Sequence, residues 1–168
     1  MSLKAFWESV QASPLADYIA SSAWAFPTIE SIHVIALITV VGTIMIMDLR
    51  LIGATSKTYS VMETSKDTLV WTWAAFVLAA ITGTLLFISK ASIYTIVPWF
   101  LAKMVLLVLA GVNMAVFHVF TWNTVKHWDV NSEVPTPGKV AGWLSLVFWV
   151  LVVICGRWIG FVLGQYQT

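Results

Sequence analysis

Glu30 and His33 sit three residues apart, just inside one end of an apolar run from Thr28 to Arg50, TIESIHVIALITVVGTIMIMDLR. Residues at i and i+3 are neighbours on a helix face. Titratable side chains are costly in hydrocarbon, so they mark ligand, proton or cofactor sites there. Two further cations fall in apolar runs: Lys103, five residues after Pro98, and Arg157, near the end of the last run. At about 1.5 Å per residue, His33 and Lys103 each lie roughly 7–8 Å inside one boundary. Arg157 reaches the same layer from a run of opposite direction. Three spans thus bring ionisable groups to one depth. His118, twenty residues after Pro98, lies about 30 Å along its helix, close to the opposite boundary. His33 and His118 therefore cannot ligate one iron within a single chain.

Several chemistries compete for this layer. A carboxylate-bridged di-iron site uses Glu-x-x-His pairs, but it needs two of them plus two further glutamates. The chain has one pair and no other carboxylate well inside a span, which excludes it. A b-type haem fits better. His33 is then an axial ligand, while Lys103 and Arg157 pair with propionates or, for Lys103, approach the iron. A copper site would take His33 with Glu30 or a methionine, although Met45 and Met47 lie toward the other end of the span. A purely structural reading makes Glu30, Arg157 and Lys103 an ion-paired network that fixes helix register. His118 either binds a second haem or metal in the other leaflet, or is an interfacial histidine among Trp122, His127 and Trp128. His127 falls in a loop and ranks lower as a ligand.

The elements that position these groups follow from hydropathy. Spans are expected at about 28–48, 68–89, 98–122 and 140–163, each with the roughly 20 residues that a hydrocarbon core of about 30 Å requires. Leu3, Phe6, Trp7 and Val10 form an apolar stripe suited to an interfacial helix. Ser13-Pro14 has the form of an N-cap followed by proline, opening a second short helix. The segments 50–67 and 126–139 read as polar connections, and Asp48 and Arg50 as ordinary charges closing span one. Gly156, Gly160 and Gly164 form two overlapping GxxxG patterns, which suit close helix packing or a homo-oligomer contact.

Composition sets the same frame. Of 168 residues, 60% are hydrophobic and 10% charged, against about 25% charged in a soluble domain, and mean hydropathy is +0.88. The expected fold class is an all-α membrane protein, a four-transmembrane-helix bundle with an N-terminal amphipathic interfacial helix, forming one domain over 1–168. A net charge of +1 gives no reason to expect nucleic acid as a partner. A single cysteine, Cys155, excludes an intrachain disulfide, a CxxC pair and a zinc cluster. The first residues lack a basic region followed by an unbroken apolar run, so no cleaved signal peptide is expected. The 50–67 and 126–139 connections carry Arg50, Lys57, Lys66, Lys126 and Lys139, against Lys4 and Lys90 on the other side. The positive-inside rule then places both termini outside, periplasmic in a bacterial inner membrane.

Two passages carry a resemblance. HVIALITVVGTIMIMDLRL in span one resembles the first-helix motif of the membrane-bound protoporphyrinogen oxidases of bacterial haem synthesis. WFLAKMVLLVLAGVNMAVFH in span three resembles the lysine-led helix of that family and of copper-resistance protein D, and small bacterial membrane proteins of unknown function share both. The resemblance implies a haem-ligand role for His33 and an essential-lysine role for Lys103. The N-terminal helix and the GRWIGFVLG ending depart from the oxidase pattern, so the oxidase reaction is not carried over. The expected function is b-type haem binding with a redox or electron-transfer role, in a membrane-embedded homo-oligomer with a quinone or redox-protein partner. A copper-binding or copper-transport protein is the first alternative, and a porphyrinogen- or quinone-linked oxidoreductase the second.

Overall fold

Serines begin the first two helices by the same device. Ser2 accepts the Ala5 N–H at 3.2 Å to open α1 (Leu3–Gln11). Ser13 accepts that of Ala16 at 3.4 Å to open α2 (Pro14–Ser21), with Pro14 in the first turn where its missing donor costs nothing. The chain continues through α3 (Ala25–Ile52), α4 (Val61–Ser89), the short α5 (Ala91–Tyr94), α6 (Pro98–Val116) and α7 (Thr136–Val162). The computed structural model describes residues 2–166, and no strand occurs among them. Four helical segments are long and apolar enough to cross a membrane: Ala25–Ile52, Val61–Ser89, Pro98–His127 and Thr136–Tyr166. The protein is a four-helix membrane bundle. α1, α5 and the closing turn Leu163–Tyr166 lie at one end of it, here the terminal end. The connections 53–60 and 128–135 lie at the other, the loop end.

The spans are not arranged as a closed square. α3 packs against both α4 and α7, and α6 packs against α7, whereas α4 and α6 diverge. Close approach of α3 and α7 depends on Gly142: a Cβ there would lie 3.1 Å from the Leu51 Cβ and 3.2 Å from the Asp48 carbonyl oxygen. The mid-bundle core is Val40, Ala75, Ala110, Trp149 and Val152. Much of the remaining apolar surface is exposed, as suits a lipid-facing bundle held by packing and polar contacts more than by the hydrophobic effect. At the terminal end the amphipathic α1 docks on the bundle. Trp7 meets Phe87 edge-on at 5.3 Å, and Gln11 Oε1 accepts from both the backbone N–H and the hydroxyl of Ser92.

The 50–67 segment is not a polar connection throughout: α4 begins at Val61, seven residues before the apolar run. Ser60 accepts the Glu63 N–H at 3.0 Å and Asp129 Oδ1 accepts that of Met62 at 2.9 Å, which satisfies the first turn outside hydrocarbon. Hydropathy locates the hydrocarbon boundary, not the helix start. Span three is helical over its expected length but changes pitch toward its end. After Val116 it widens into a π-helical turn, Phe117–Thr121, and tightens into a 3-10 turn, Trp122–His127. That change of pitch brings Val125 and Trp128 into a cluster with Leu51, Val61, Phe117 and Val134, which floors the loop end.

Asp48 and Arg50 are not ordinary boundary charges either, since they are 5% and 2% exposed. Arg50 Nε donates to the Tyr59 carbonyl at 2.7 Å, and Nη2 to those of Asp129 at 2.9 Å and Lys57 at 3.4 Å. Asp129 in turn accepts from Ser60 Oγ at 2.8 Å. One guanidinium thus binds the two loop-end connections to the base of α3.

On the surface of the same loops, Lys57 and Lys139 both hydrogen-bond Glu133. These bonds, that from Lys57 foremost, hold the Glu133 carboxyl at about 2 rather than its ordinary 4.5. Because the folded-state value is depressed, any stability carried by the pair is present above about pH 4.5 and lost as pH falls through 2. The side chain is 67% exposed, where ion pairs contribute little. Glu133→Gln is therefore expected to move the thermal unfolding midpoint at pH 7 by less than about 1 °C, as read by fluorescence-detected melting in detergent.

Candidate functional site

The layer anticipated from helix depth exists in part. His33 on α3 turns toward α4, where its Nδ1 lies 3.0 Å from the Thr82 hydroxyl. That hydroxyl has one hydrogen, and its shortest contact is the Leu78 carbonyl 2.7 Å away. With the hydrogen spent there, Thr82 accepts from the ring, which also bonds the Ala79 carbonyl. Both contacts call for a proton on the ring, and the tautomer with Nδ1–H leaves Nε2 its lone pair. A neighbour that fixes the tautomer and leaves the other nitrogen open is how metal-ligating histidines are oriented. The ring lies against Gly83, where an added Cβ would fall 2.9 Å from His33 Cε1. Any side chain at position 83 would occupy the place of the imidazole.

Lys103 enters the same layer from α6. Its ammonium is close enough to His33 and to Cys155 of α7 to interact with both electrostatically. Gly156 gives it room, with Nζ 3.7 Å from where a Cβ would stand. No carboxylate forms an ion pair with Lys103 among the described residues. All four spans thus contribute: His33 from α3, Thr82 and Gly83 from α4, Lys103 from α6, and Cys155 and Gly156 from α7. Thr82 and Cys155 were not expected as members, although a Thr-Gly-Thr step in an apolar helix and a lone thiol one residue from a glycine are the signals that could have named them.

Glu30 and Arg157 reach that depth but not that site. Glu30 is exposed. Its carboxylate is felt by Tyr94 in α5, whose phenol is pushed up to about 12, first by burial and then by that charge. Arg157 is also exposed, and its guanidinium stacks over the Phe161 ring with 4.7 Å to the centroid. It snorkels along the outside of the bundle. No Glu30–Arg157–Lys103 ion pair occurs among the described residues.

His118 belongs to the opposite half. It sits in the π-helical turn, donates Nδ1–H to the Met114 carbonyl at 2.9 Å, and stacks on Trp122 at 5.2 Å. His127 is exposed, with Nδ1 3.3 Å from the Thr124 carbonyl. His118 lines a groove of about 220 Å³ whose α4 wall runs from Ser65 to Phe76, whereas His33 meets α4 at Thr82 and Gly83. Even the nearest of these levels, Phe76 and Thr82, are about 9 Å apart along α4. Among the described residues, no group of three or more His, Cys, Asp or Glu side chains is placed to hold a metal ion.

No curated protein and no solved structure matches the chain. The model of one family matches residues 6–162, from within α1 to the last residue of α7. By that match the chain belongs to the family of unknown function designated DUF6644.

Proposed function

We propose that this bundle binds a b-type haem at His33 and serves membrane redox chemistry or electron transfer. The observation that carries the reading is the Thr82-fixed imidazole, whose Nε2 keeps an open lone pair in a layer built by all four spans. An iron porphyrin needs one or two protein ligands. A bare copper centre needs several soft or imidazole donors, and the donor set around His33 is poor in them. Haem therefore ranks ahead of copper. In this reading His33 holds the iron and Lys103 supplies a cation for a propionate. The haem itself would supply one-electron chemistry. The resemblance of spans one and three to the haem-binding oxidases points the same way.

The proposed setting is a bacterial inner membrane with the terminal end periplasmic. Lys57, Lys66, Lys126 and Lys139 lie toward the loop end, against Lys4 and Lys90 at the other, as the positive-inside rule requires.

Protein purified in detergent from haem-replete cells is expected to show a Soret band. His33→Ala should cut haem occupancy at least tenfold, while His127→Ala leaves it unchanged. A colourless protein that contains copper alone overturns the haem reading. A Soret band that survives in His33→Ala overturns the ligand assignment.

A further inference from the structure

At the loop end, where α4 and α6 diverge, a groove of about 220 Å³ opens between them, backed by α3 and α7. An apolar cavity of about 150 Å³ is enough for a benzene ring, so a substituted ring fits. The walls are mostly apolar and aromatic, with Phe76 of α4 on one side and Phe117 and Trp122 of the third span on the other. At the back lies Asp48. Its carboxyl is buried and interacts with Ser145, yet Oδ2 has no hydrogen-bond partner among the described residues. On the α6 side His118 spends its Nδ1–H on the Met114 carbonyl, which leaves Nε2 as an acceptor. The threonine hydroxyls nearby are already committed: Thr68 donates to Thr64 O, Thr72 to Thr68 O and Thr43 to Thr39 O. Asp48 Oδ2, closed off from solvent and without a partner, and His118 Nε2 are thus left without donors on residues that line an apolar space.

A buried carboxyl oxygen is seldom left unpaired, so the groove calls for a ligand that is apolar, flat and a hydrogen-bond donor. A lipid acyl chain would fill the volume and leave Asp48 unpaired. A phosphate headgroup would bring a negative charge into a largely apolar space. We propose that the groove binds a hydroquinone-type membrane ligand, with a ring hydroxyl donated to Asp48 and its apolar tail leaving through the gap between α4 and α6. The second hydroxyl has His118 Nε2 as an acceptor on the facing wall. This site is separate from the His33 layer and does not depend on haem being bound there.

The test uses the full chain in lipid nanodiscs and decyl-hydroquinone kept reduced under anaerobic conditions. Binding is read as quenching of tryptophan fluorescence, since Trp73, Trp122 and Trp149 line the groove. Saturable binding is expected. Asp48→Asn should weaken it about tenfold, the scale of one hydrogen bond. Gly111→Phe should weaken it at least as much. A Cβ on Gly111 meets nothing within 4 Å, so the ring enters the open groove without a clash in the helix packing, and this variant decides the matter if Asp48→Asn fails to fold. The dimethyl ether of the probe, which has the same shape and no donors, should bind at least tenfold more weakly. His33→Ala should leave the affinity within twofold. Equal binding of the ether, unchanged affinity in both groove variants, or loss of binding in His33→Ala would each overturn the proposal. None of these outcomes bears on whether His33 holds haem.

Discussion

Replacing Arg50 by alanine is expected to lower the unfolding free energy by about 3 kcal/mol, the scale of losing several hydrogen bonds to a charged group. In a chain of this size that corresponds to a drop of roughly 6–12 °C in the thermal midpoint. The guanidinium is 2% exposed and donates to carbonyls on both loop-end connections, Tyr59 and Lys57 on one and Asp129 on the other. Without it, those carbonyls lose a shared donor at the base of α3. Asp129 is freed from its backbone anchor while still required as the acceptor for Met62 and Ser60 at the start of α4. The damage should therefore spread to the first turn of α4 and appear as faster amide exchange at Met62 and Glu63. Arg50→Lys should recover little, because one ammonium cannot reproduce the fork that spans Tyr59 O and Asp129 O. Wild-type melting and exchange in Arg50→Ala would show that the connections hold each other without it, through the Asn131 N–H bond to Lys57 O.

Arg50 also shows why part of the site was legible and part was not. Four apolar runs and a rise of 1.5 Å per residue were enough to place His33 and Lys103 in one layer and His118 in another. Depth is a one-dimensional quantity that a sequence carries directly. Which way a side chain points around its helix is set by the neighbours, and four apolar helices give little amphipathic signal to orient them. Glu30 and Arg157 share the depth of His33 yet face outward for that reason. Asp48 and Arg50 stand at the end of an apolar run, where charges usually meet water. Nothing in their own segment announces that residues 57–59 and 129, distant in sequence, fold over them. The π-helical turn at His118 is equally silent, because the same side chains would suit a regular helix. Its purpose is visible only in the cluster that it closes with Leu51 and Val61.

Gly83→Ala is expected to cost His33 its position while leaving the fold almost untouched. The added methyl would stand 2.9 Å from His33 Cε1, and its three nearest neighbours all belong to the imidazole. Relief therefore comes from rotating the imidazole, which has only two torsions to adjust, and not from moving α3 away from α4. Alanine is also the better helix former by about 1 kcal/mol, so the net change in stability should stay within about 1 kcal/mol of zero. The 3.0 Å bond between His33 and Thr82 does not survive that rotation. With it goes the fixed tautomer that leaves Nε2 open. Loss of an orienting partner of this kind typically costs 10–100-fold in affinity for a metal or its cofactor, so haem occupancy should fall by that factor while melting stays normal. Gly42→Ala is the matched control: the same substitution in α3, where a Cβ meets nothing within 4 Å. It should keep full occupancy and be neutral or slightly more stable. A readout independent of haem is the ¹⁵N resonance pair of His33 in selectively labelled protein, which should change in Gly83→Ala and not in Gly42→Ala. If the pair and the occupancy are both unchanged in Gly83→Ala, α4 does not hold the imidazole, and the proposed haem site loses the contact on which it rests. If the resonances shift and the occupancy does not, α4 orients the ring but the cofactor is held elsewhere.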